Sequence, residues 1–211
     1  FTDLVFVTPG GEVVTGKSHT TPGQFEKGVM DVISANNIKP SEFASFVHGT
    51  TIVINAITER KGARVGLITT EGFRDILEIG REIRYAPYDI FAEFPRPLIP
   101  RRYRIEVDER IRSDGSVLKA LDPEEALKVV RDLLGMGVES IAVCLINSFE
   151  NPVHELMLQE IIEKEAPGIS TSISYHVLPQ IKEYERTSTT VTNAYVKPLT
   201  GRYLSKLAGR L

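Results

Sequence analysis

Asp122-Pro123-Glu124-Glu125-Ala126-Leu127, followed by Val130, Leu134 and the glycines Gly135 and Gly137, leads into Ser140-Ile141-Ala142-Val143-Cys144-Leu145-Ile146. Asp122 is suited to cap a helix, Pro123 fits its first position, and the apolar residues then recur at helical spacing until the glycines stop it. The run from Ser140 to Ile146 is apolar without alternation, which predicts a strand covered on both faces. The pattern repeats at once. Asn151-Pro152 starts a helix bearing Leu158, Ile161 and Ile162, Pro167-Gly168 ends it, and a strand from Thr171 to Tyr175 follows. Short apolar strands alternating with amphipathic helices predict an α/β fold with a mainly parallel sheet.

Working outward, Arg104 to Ile111 alternates as a strand, and Ser113-Asp114-Gly115-Ser116 turns it into a hairpin. Arg64 to Thr69 is a further strand, with Thr70 expected to cap a helix carrying Phe73, Ile76, Leu77 and Ile79. Between them, Gly80 to Pro100 mixes Arg81, Glu82, Arg84, Tyr85, Tyr88 and Asp89 with four prolines, a composition more often functional than decorative within a compact domain. Near the start, Leu4 to Val7 and Glu12 to Lys17 flank Pro9-Gly10-Gly11 and predict a second hairpin. Thr21-Pro22-Gly23-Gln24 then reads as a capping box opening a helix with Phe25, Val29, Val32 and Ile33 on one face. At the far end, Glu183 to Tyr195 is rich in hydroxyls but places Tyr184, Thr187, Val191 and Ala194 on one side of a helix. Such a helix is either a polar-lined packing surface or one wall of a site. Pro198 is expected to kink or break it.

The chain has 211 residues, 42% hydrophobic and 25% charged, with a net charge of −3. That balance suits a globular protein with a real core and excludes the basic footprint of a nucleic-acid or anionic-membrane binder. No apolar run reaches the length of a membrane helix, and the start lacks a secretory signal pattern. The lone cysteine, Cys144, lies in an apolar run and reads as a buried structural thiol. Its solitude fits a reducing compartment, which predicts the cytoplasm. Phe1 opens in the middle of a strand without an initiator methionine and Leu211 closes inside a helical pattern, so residues 1–211 read as one region of a longer protein.

His19, His48, His154 and His176 lack zinc-ligand spacing, and neither a Walker loop nor a nucleophile elbow occurs. What remains is hydroxyls, arginines, carboxylates and glycine turns. Their densest grouping is Ala44-Ser45-Phe46-Val47-His48-Gly49-Thr50-Thr51, leading to Asn55. It reads as a strand that stops at a glycine and hands over to a helix, whose free N–H groups and positive end favour anions. Thr50 or Thr51 serves equally well as a plain N-cap. Thr2-Asp3 on the first hairpin is suited to phosphate and Mg2+. Arg81-Glu82-x-Arg84 offers guanidinium forks for carboxylate or phosphate, although a solvated charge run explains the same letters.

In order, Phe1-Thr2-Asp3, Lys17-x-x-Thr20-Thr21-Pro22, His48-Gly49-Thr50-Thr51 with Asn55-Ala56, and Arg60-x-Gly62-Ala63 resemble the N-terminal region of the hydantoinase A/5-oxoprolinase family. So do Thr69-Thr70-x-Gly72-Phe73-Arg74-Asp75, Glu78-Ile79-Gly80-Arg81, Tyr88-Asp89, Pro97-Leu98-x-Pro100-Arg101, and Glu183-Tyr184-Glu185-Arg186-x-Ser188-Thr189-Thr190 with Asn193-Ala194-Tyr195. The resemblance implies part of an actin/hexokinase/Hsp70-like ATPase fold. It implies an Mg-ATP-dependent enzyme that phosphorylates a carbonyl or enol oxygen, then opens a cyclic amide such as hydantoin or 5-oxoproline with water. The ketone-carboxylase subunits of the family carboxylate the activated species instead, and a scaffold that only docks a companion subunit is a third reading. A B-type subunit or fused domain is the implied partner, with no nucleic acid and no membrane. By the same resemblance, His48, Thr50, Thr51 and Asn55 are catalytic candidates, and Arg81, Tyr88, Glu185, Arg186 and Asn193 are substrate-binding candidates. Thr2, Asp3 and Gly49 fall to the ATP site, Asp3 as the Mg2+ ligand. The family's Asp-x-Gly-Gly-Thr is expected before Phe1, and the second nucleotide-binding half after Leu211.

Overall fold

A computed structural model describes residues 1–81, 86 and 88–211, which form two compact units. The first contains Phe1–Val53 and Leu199–Leu211, the second Ile54–Pro198.

In the first unit, β1 (Thr2–Val7) and β2 (Val13–Ser18) form the expected antiparallel hairpin, with Thr2 opposite Ser18 and Asp3 opposite Lys17. α1 (Phe25–Ala35) starts later than the capping-box reading placed it. Pro22-Gly23 forms a turn, with Gly23 at φ 81°, and Gln24 is the N-cap without a side-chain cap bond. Thr21 instead accepts from the Gly28 amide at 3.2 Å and donates to the Gln24 carbonyl at 2.6 Å, tying the turn to the helix from outside. Val29, Ile33 and Ile38 pack with Ile52, Tyr203 and Leu207 to make this unit's core.

No strand forms at Ala44–Val47. A strand needs a neighbouring ladder to satisfy its backbone, whereas Val47 is 95% exposed and the segment is held by a stack of rings. Phe43 packs on Phe46 and Phe46 on His48, with centroids 5.7 and 6.0 Å apart. α2 (Ile52–Thr58) does follow, and the Thr50 hydroxyl accepts from the Ile52 amide at 3.3 Å.

The second unit is built on β3 (Val65–Thr70), α3 (Ile76–Ile79), β4 (Arg104–Val107), β5 (Arg110–Ile111), β6 (Val117–Lys119), α4 (Pro123–Gly135), β7 (Ser140–Cys144), α5 (Val153–Glu165), β8 (Ser170–Ile173) and α6 (Ser174–Val177). Its main sheet has the order β4-β3-β7-β8, parallel throughout, and β5 and β6 form a separate hairpin. The α/β expectation therefore holds. β3 and β7 are buried at every position, as central parallel strands covered on both faces should be. Alternation along β7 divides the two faces. Ile141 and Val143 join Ala126, Val130 and Leu133 of α4 and Leu158 and Ile162 of α5 in one core. Cys144 points the other way and accepts from the Thr187 hydroxyl at 3.2 Å; burial pushes its thiol pKa up, consistent with a structural role. Asp122 caps α4 as expected, accepting from the Glu124 amide at 3.0 Å.

Two local expectations fail here. Thr70 ends β3 instead of capping a helix, because its hydroxyl is committed to a buried network: it accepts from the Ile146 amide at 2.9 Å and donates to Glu109. Residues 104–111 do not run as one alternating strand, since Arg104 is buried and β4 stops at Val107. The helix expected from Glu183 does form: α7 (Glu183–Ala208) continues through Pro198 for 26 residues without a break. Proline removes one helical hydrogen bond, and burial of Val191, Ala194, Tyr195 and Val196 before it and Tyr203 and Leu207 after it offsets the loss. The boundary between the two units falls at this proline.

Two buried carboxylates lie beyond the C-terminal ends of the parallel strands, where such sheets present their functional loops. Glu155 accepts from the amides of Leu145 and Tyr175 at 2.9 Å each and from the hydroxyls of Ser148 and Ser174 at 2.9 and 2.6 Å. Burial pushes its pKa up against those four donors. Glu109 accepts from His154 Nδ1 at 2.7 Å, and the Leu121 amide donates to His154 Nε2 at 3.3 Å. A nitrogen that accepts a backbone N–H carries no proton, so the ring is the neutral Nδ1–H tautomer.

Candidate active site

A groove in the second unit is lined in part by the predicted site residue Arg81. Its larger lobe, about 570 Å³, is walled by Leu77, Ile79, Arg81, Phe94, Pro95 and Tyr184. A smaller lobe, about 260 Å³, shares Leu77, Pro95 and Tyr184 and adds Arg60, Ser188 and Thr192. Tyr184, Ser188 and Thr192 recur every fourth residue, so one stripe of α7 forms a wall.

Charged clamps hold the opposite wall in place. Arg101 grips Asp75 through two bonds of 2.7 and 2.9 Å, and the Arg101 guanidinium holds the Asp75 carboxyl below its ordinary range. The buried Arg104 donates to the Ile99 carbonyl through Nε at 3.1 Å and Nη2 at 2.6 Å, and pairs with Glu78 on α3. Gly80, at φ 57°, then lets the chain leave α3 in a direction a side chain would resist. Arg81, the next residue, lines the larger lobe and forms an ion pair with Glu185, the neighbour of the lining residue Tyr184. The backbone amide of Glu185 itself, and then the Arg81 guanidinium, hold the Glu185 carboxyl below its usual range. The result is an apolar trough with an Arg–Glu ion pair beside it, suited to a small molecule whose apolar body fills the trough and whose polar group meets a guanidinium.

The other predicted substrate residues do not join it. Arg186 is 2% exposed and points to the opposite side of α7, since consecutive helical residues diverge by about 100°. Its Nη1 donates to the Ser148 hydroxyl and its Nη2 to the Leu145 carbonyl, both at 2.7 Å, which places it in the Glu155 network. Asn193 accepts from the Ser172 hydroxyl at 2.8 Å and lines neither lobe. Tyr88 is fully exposed and lines neither lobe. Glu82 and Arg84 fall outside the described residues. Tyr184 and the Pro95–Pro97 wall went unassigned from sequence, although the proline-rich segment signalled function.

The first unit holds the remaining candidates except Asn55. Asp3 pairs with Lys17 at 3.1 Å on the hairpin, with Thr2 beside it. Gly49 is exposed, and a Cβ there would meet nothing within 4 Å. Thr50 and Thr51 are exposed at the start of α2, and Asn55, also exposed, falls in the second unit. His48 Nε2 lies 2.6 Å from the Tyr203 hydroxyl, which suits a neutral ring accepting from the phenol. Burial lowers the His48 pKa from its ordinary 6.5. A folded pKa below the unfolded value means that the unfolded chain binds more protons in between, so this contribution to stability is present above pH 6.5 and is lost as pH falls towards the folded pKa. NMR titration should give a His48 midpoint below 6.5. A midpoint at or above that value would show the ring to be solvated or paired with an acid.

Among the described residues, no group of three or more acidic, histidine or cysteine side chains converges to hold a metal, and no helix is long and apolar enough to cross a membrane. A family model described as the hydantoinase/oxoprolinase N-terminal region matches residues 1–166. The caprolactamase alpha subunit of Pseudomonas jessenii is 32% identical over 98% of this chain and 31% of its own length. The solved ATP-dependent caprolactamase from that organism superposes with a TM-score of 0.81 at 30% identity, covering 97% of this chain and 31% of the other. The acetophenone carboxylase gamma subunit of Aromatoleum aromaticum is 35% identical over 93% of this chain and 30% of its own. A nucleotide-free acetone carboxylase structure superposes with a TM-score of 0.85 at 28% identity, over 98% of this chain and 32% of that one. The chain thus spans about a third of the length of these relatives. It belongs to the hydantoinase/oxoprolinase N-terminal region family.

Proposed function

We propose that this chain is the N-terminal part of an ATP-dependent enzyme that opens a cyclic amide, and that the groove rimmed by Arg81 and Glu185 receives the ring. The observation that carries this reading is the union of an apolar trough with an ionised pair at its edge. Leu77, Ile79 and Pro95 suit ring methylenes, and the Arg81 fork suits a carbonyl oxygen that gains negative charge. Glu185 orients that fork. When bound, Mg-ATP supplies the phosphoryl group that activates the carbonyl oxygen. The donor set fits a metal shared with nucleotide phosphates: Asp3 offers one carboxylate and the adjacent Lys17 a cation for phosphate, whereas no protein cage for a metal exists among the described residues. Thr2 and Gly49 are assigned to the nucleotide, and His48, Thr50, Thr51 and Asn55 to proton handling and hydrogen bonding in the chemistry. The longer protein completes the ATPase fold in this reading, with a B-type subunit or fused domain as partner.

The similarity to acetophenone and acetone carboxylase subunits favours a second reading, in which the same groove holds a ketone that is carboxylated. ADP release by the full-length protein with its partner separates the two. Stimulation by caprolactam, hydantoin or 5-oxoproline supports ring opening. Stimulation only by a ketone with bicarbonate moves the assignment to carboxylation, and response to neither rejects both.

A further inference from the structure

We propose that a separate cleft, at the N-terminal end of β3, is an anion site that takes the phosphate group of a small molecule. The cleft holds about 450 Å³, the size of a small-ligand pocket, and is lined by Arg60, Arg64 and Arg102. Glu139 is the one acid among its lining residues, and it already accepts from the Arg64 amide at 2.8 Å. Three arginines against one acid among the lining residues give the cleft a local excess of positive charge, on a chain of net charge −3, that favours an anion.

Their present partners leave donors over. Arg60 directs its two terminal nitrogens at the carbonyls of Arg96 and Pro97. Arg64 donates from Nη1 to the Gly137 carbonyl at 3.3 Å, a bond that answers the end of α4. Arg102 lies over the Tyr103 ring at 4.7 Å and hydrogen-bonds to that side chain, contacts that hold the guanidinium at the cleft. Closing the end of α4 accounts for one bond of Arg64 and for nothing of Arg102.

The floor is rigid. The Ala63 amide donates to the Tyr195 carbonyl at 2.9 Å, and a Cβ on Gly62 would come within 2.1 Å of the Tyr195 ring, so backbone and ring are in direct contact. A preformed cleft binds without an ordering cost, and planar guanidinium forks match phosphate oxygens in pairs.

The test uses the full-length protein and inorganic pyrophosphate followed by calorimetry. Arg64→Gln combined with Arg102→Gln is expected to weaken one class of binding site by about tenfold or more. Both side chains are exposed, so the fold should survive; Arg102→Gln alone carries the titration if the double variant does not fold. Wild-type crystals soaked in selenate are expected to show an anomalous peak among the three guanidinium groups. Pyrophosphate isotherms identical in wild type and variant, or a selenate map with no peak in the cleft, overturn the proposal.

Discussion

Replacing Glu155 with alanine is expected to remove about 3–5 kcal/mol of stability, read as a fall in the urea midpoint at unchanged slope. The side chain is fully buried on α5, yet its two oxygens collect donors from two other segments: the loop after β7, through the Leu145 amide and the Ser148 hydroxyl, and the first turn of α6. Alanine would strand the amides of Leu145 and Tyr175, each buried donor without a partner costing about 1–3 kcal/mol, and would leave the Ser148 and Ser174 hydroxyls only each other and the Leu145 carbonyl. It would also leave the Arg186 guanidinium, which reaches Glu155 through Ser148, without a compensating charge nearby. Glutamine tests the same idea more finely. One oxygen can still serve Leu145, Ser148 and Ser174, but its amide group must then face the Tyr175 N–H, donor against donor. The expected order of stability is wild type, then glutamine, then alanine. A loss under about 1 kcal/mol for alanine would mean that water or neighbouring carbonyls replace the carboxylate, and that it does not organise this end of the sheet.

Glu155 also marks where the sequence stops being informative. A glutamate between His154 and Leu156, in a helix with several exposed acids, has the local signature of a solvated position; only the loop after β7 and the turn after β8 reveal it as an acceptor. Arg186 is the same case from the other side of the sheet. Beside Glu185 it reads as part of one charged cluster, and helical geometry then sends the two residues to opposite environments. By contrast, α4 was legible because its determinants are local: Asp122 caps, Pro123 fits the first turn and Gly137 turns the chain at φ 73°. The parallel sheet was legible for a related reason, since β3 and β7 are apolar on both faces and need no partner's identity to announce burial. Ala44–Val47 carried the same apolar signal without a neighbouring strand to pair with, and so stayed irregular. Of the substrate candidates on α7, Glu185 pairs with Arg81 of the groove wall while Arg186 and Asn193 stand elsewhere, a division that depends on which face of the helix each residue occupies.

That division makes Arg81 the sharpest test of the groove. Arg81→Gln in the full-length enzyme is expected to lower kcat/KM by about 10- to 100-fold, the effect of losing one charge-assisted hydrogen bond to a developing negative oxygen. Melting should stay nearly unchanged, because the Arg81–Glu185 pair is exposed and solvent-screened ion pairs contribute little to folding. Arg81→Lys should fall between wild type and glutamine: it keeps the charge but loses the fork that can hold Glu185 and a substrate oxygen at once. Glu185→Gln separates orientation from charge, since it leaves the guanidinium intact while loosening its position. It should raise KM or lower kcat less than Arg81→Gln does. A kcat/KM for Arg81→Gln within about twofold of wild type would remove the ion pair from the chemistry. The groove would then be a packing seam between α3, the proline-rich wall and α7, and the substrate would have to be sought among His48, Thr50, Thr51 and Asn55 instead.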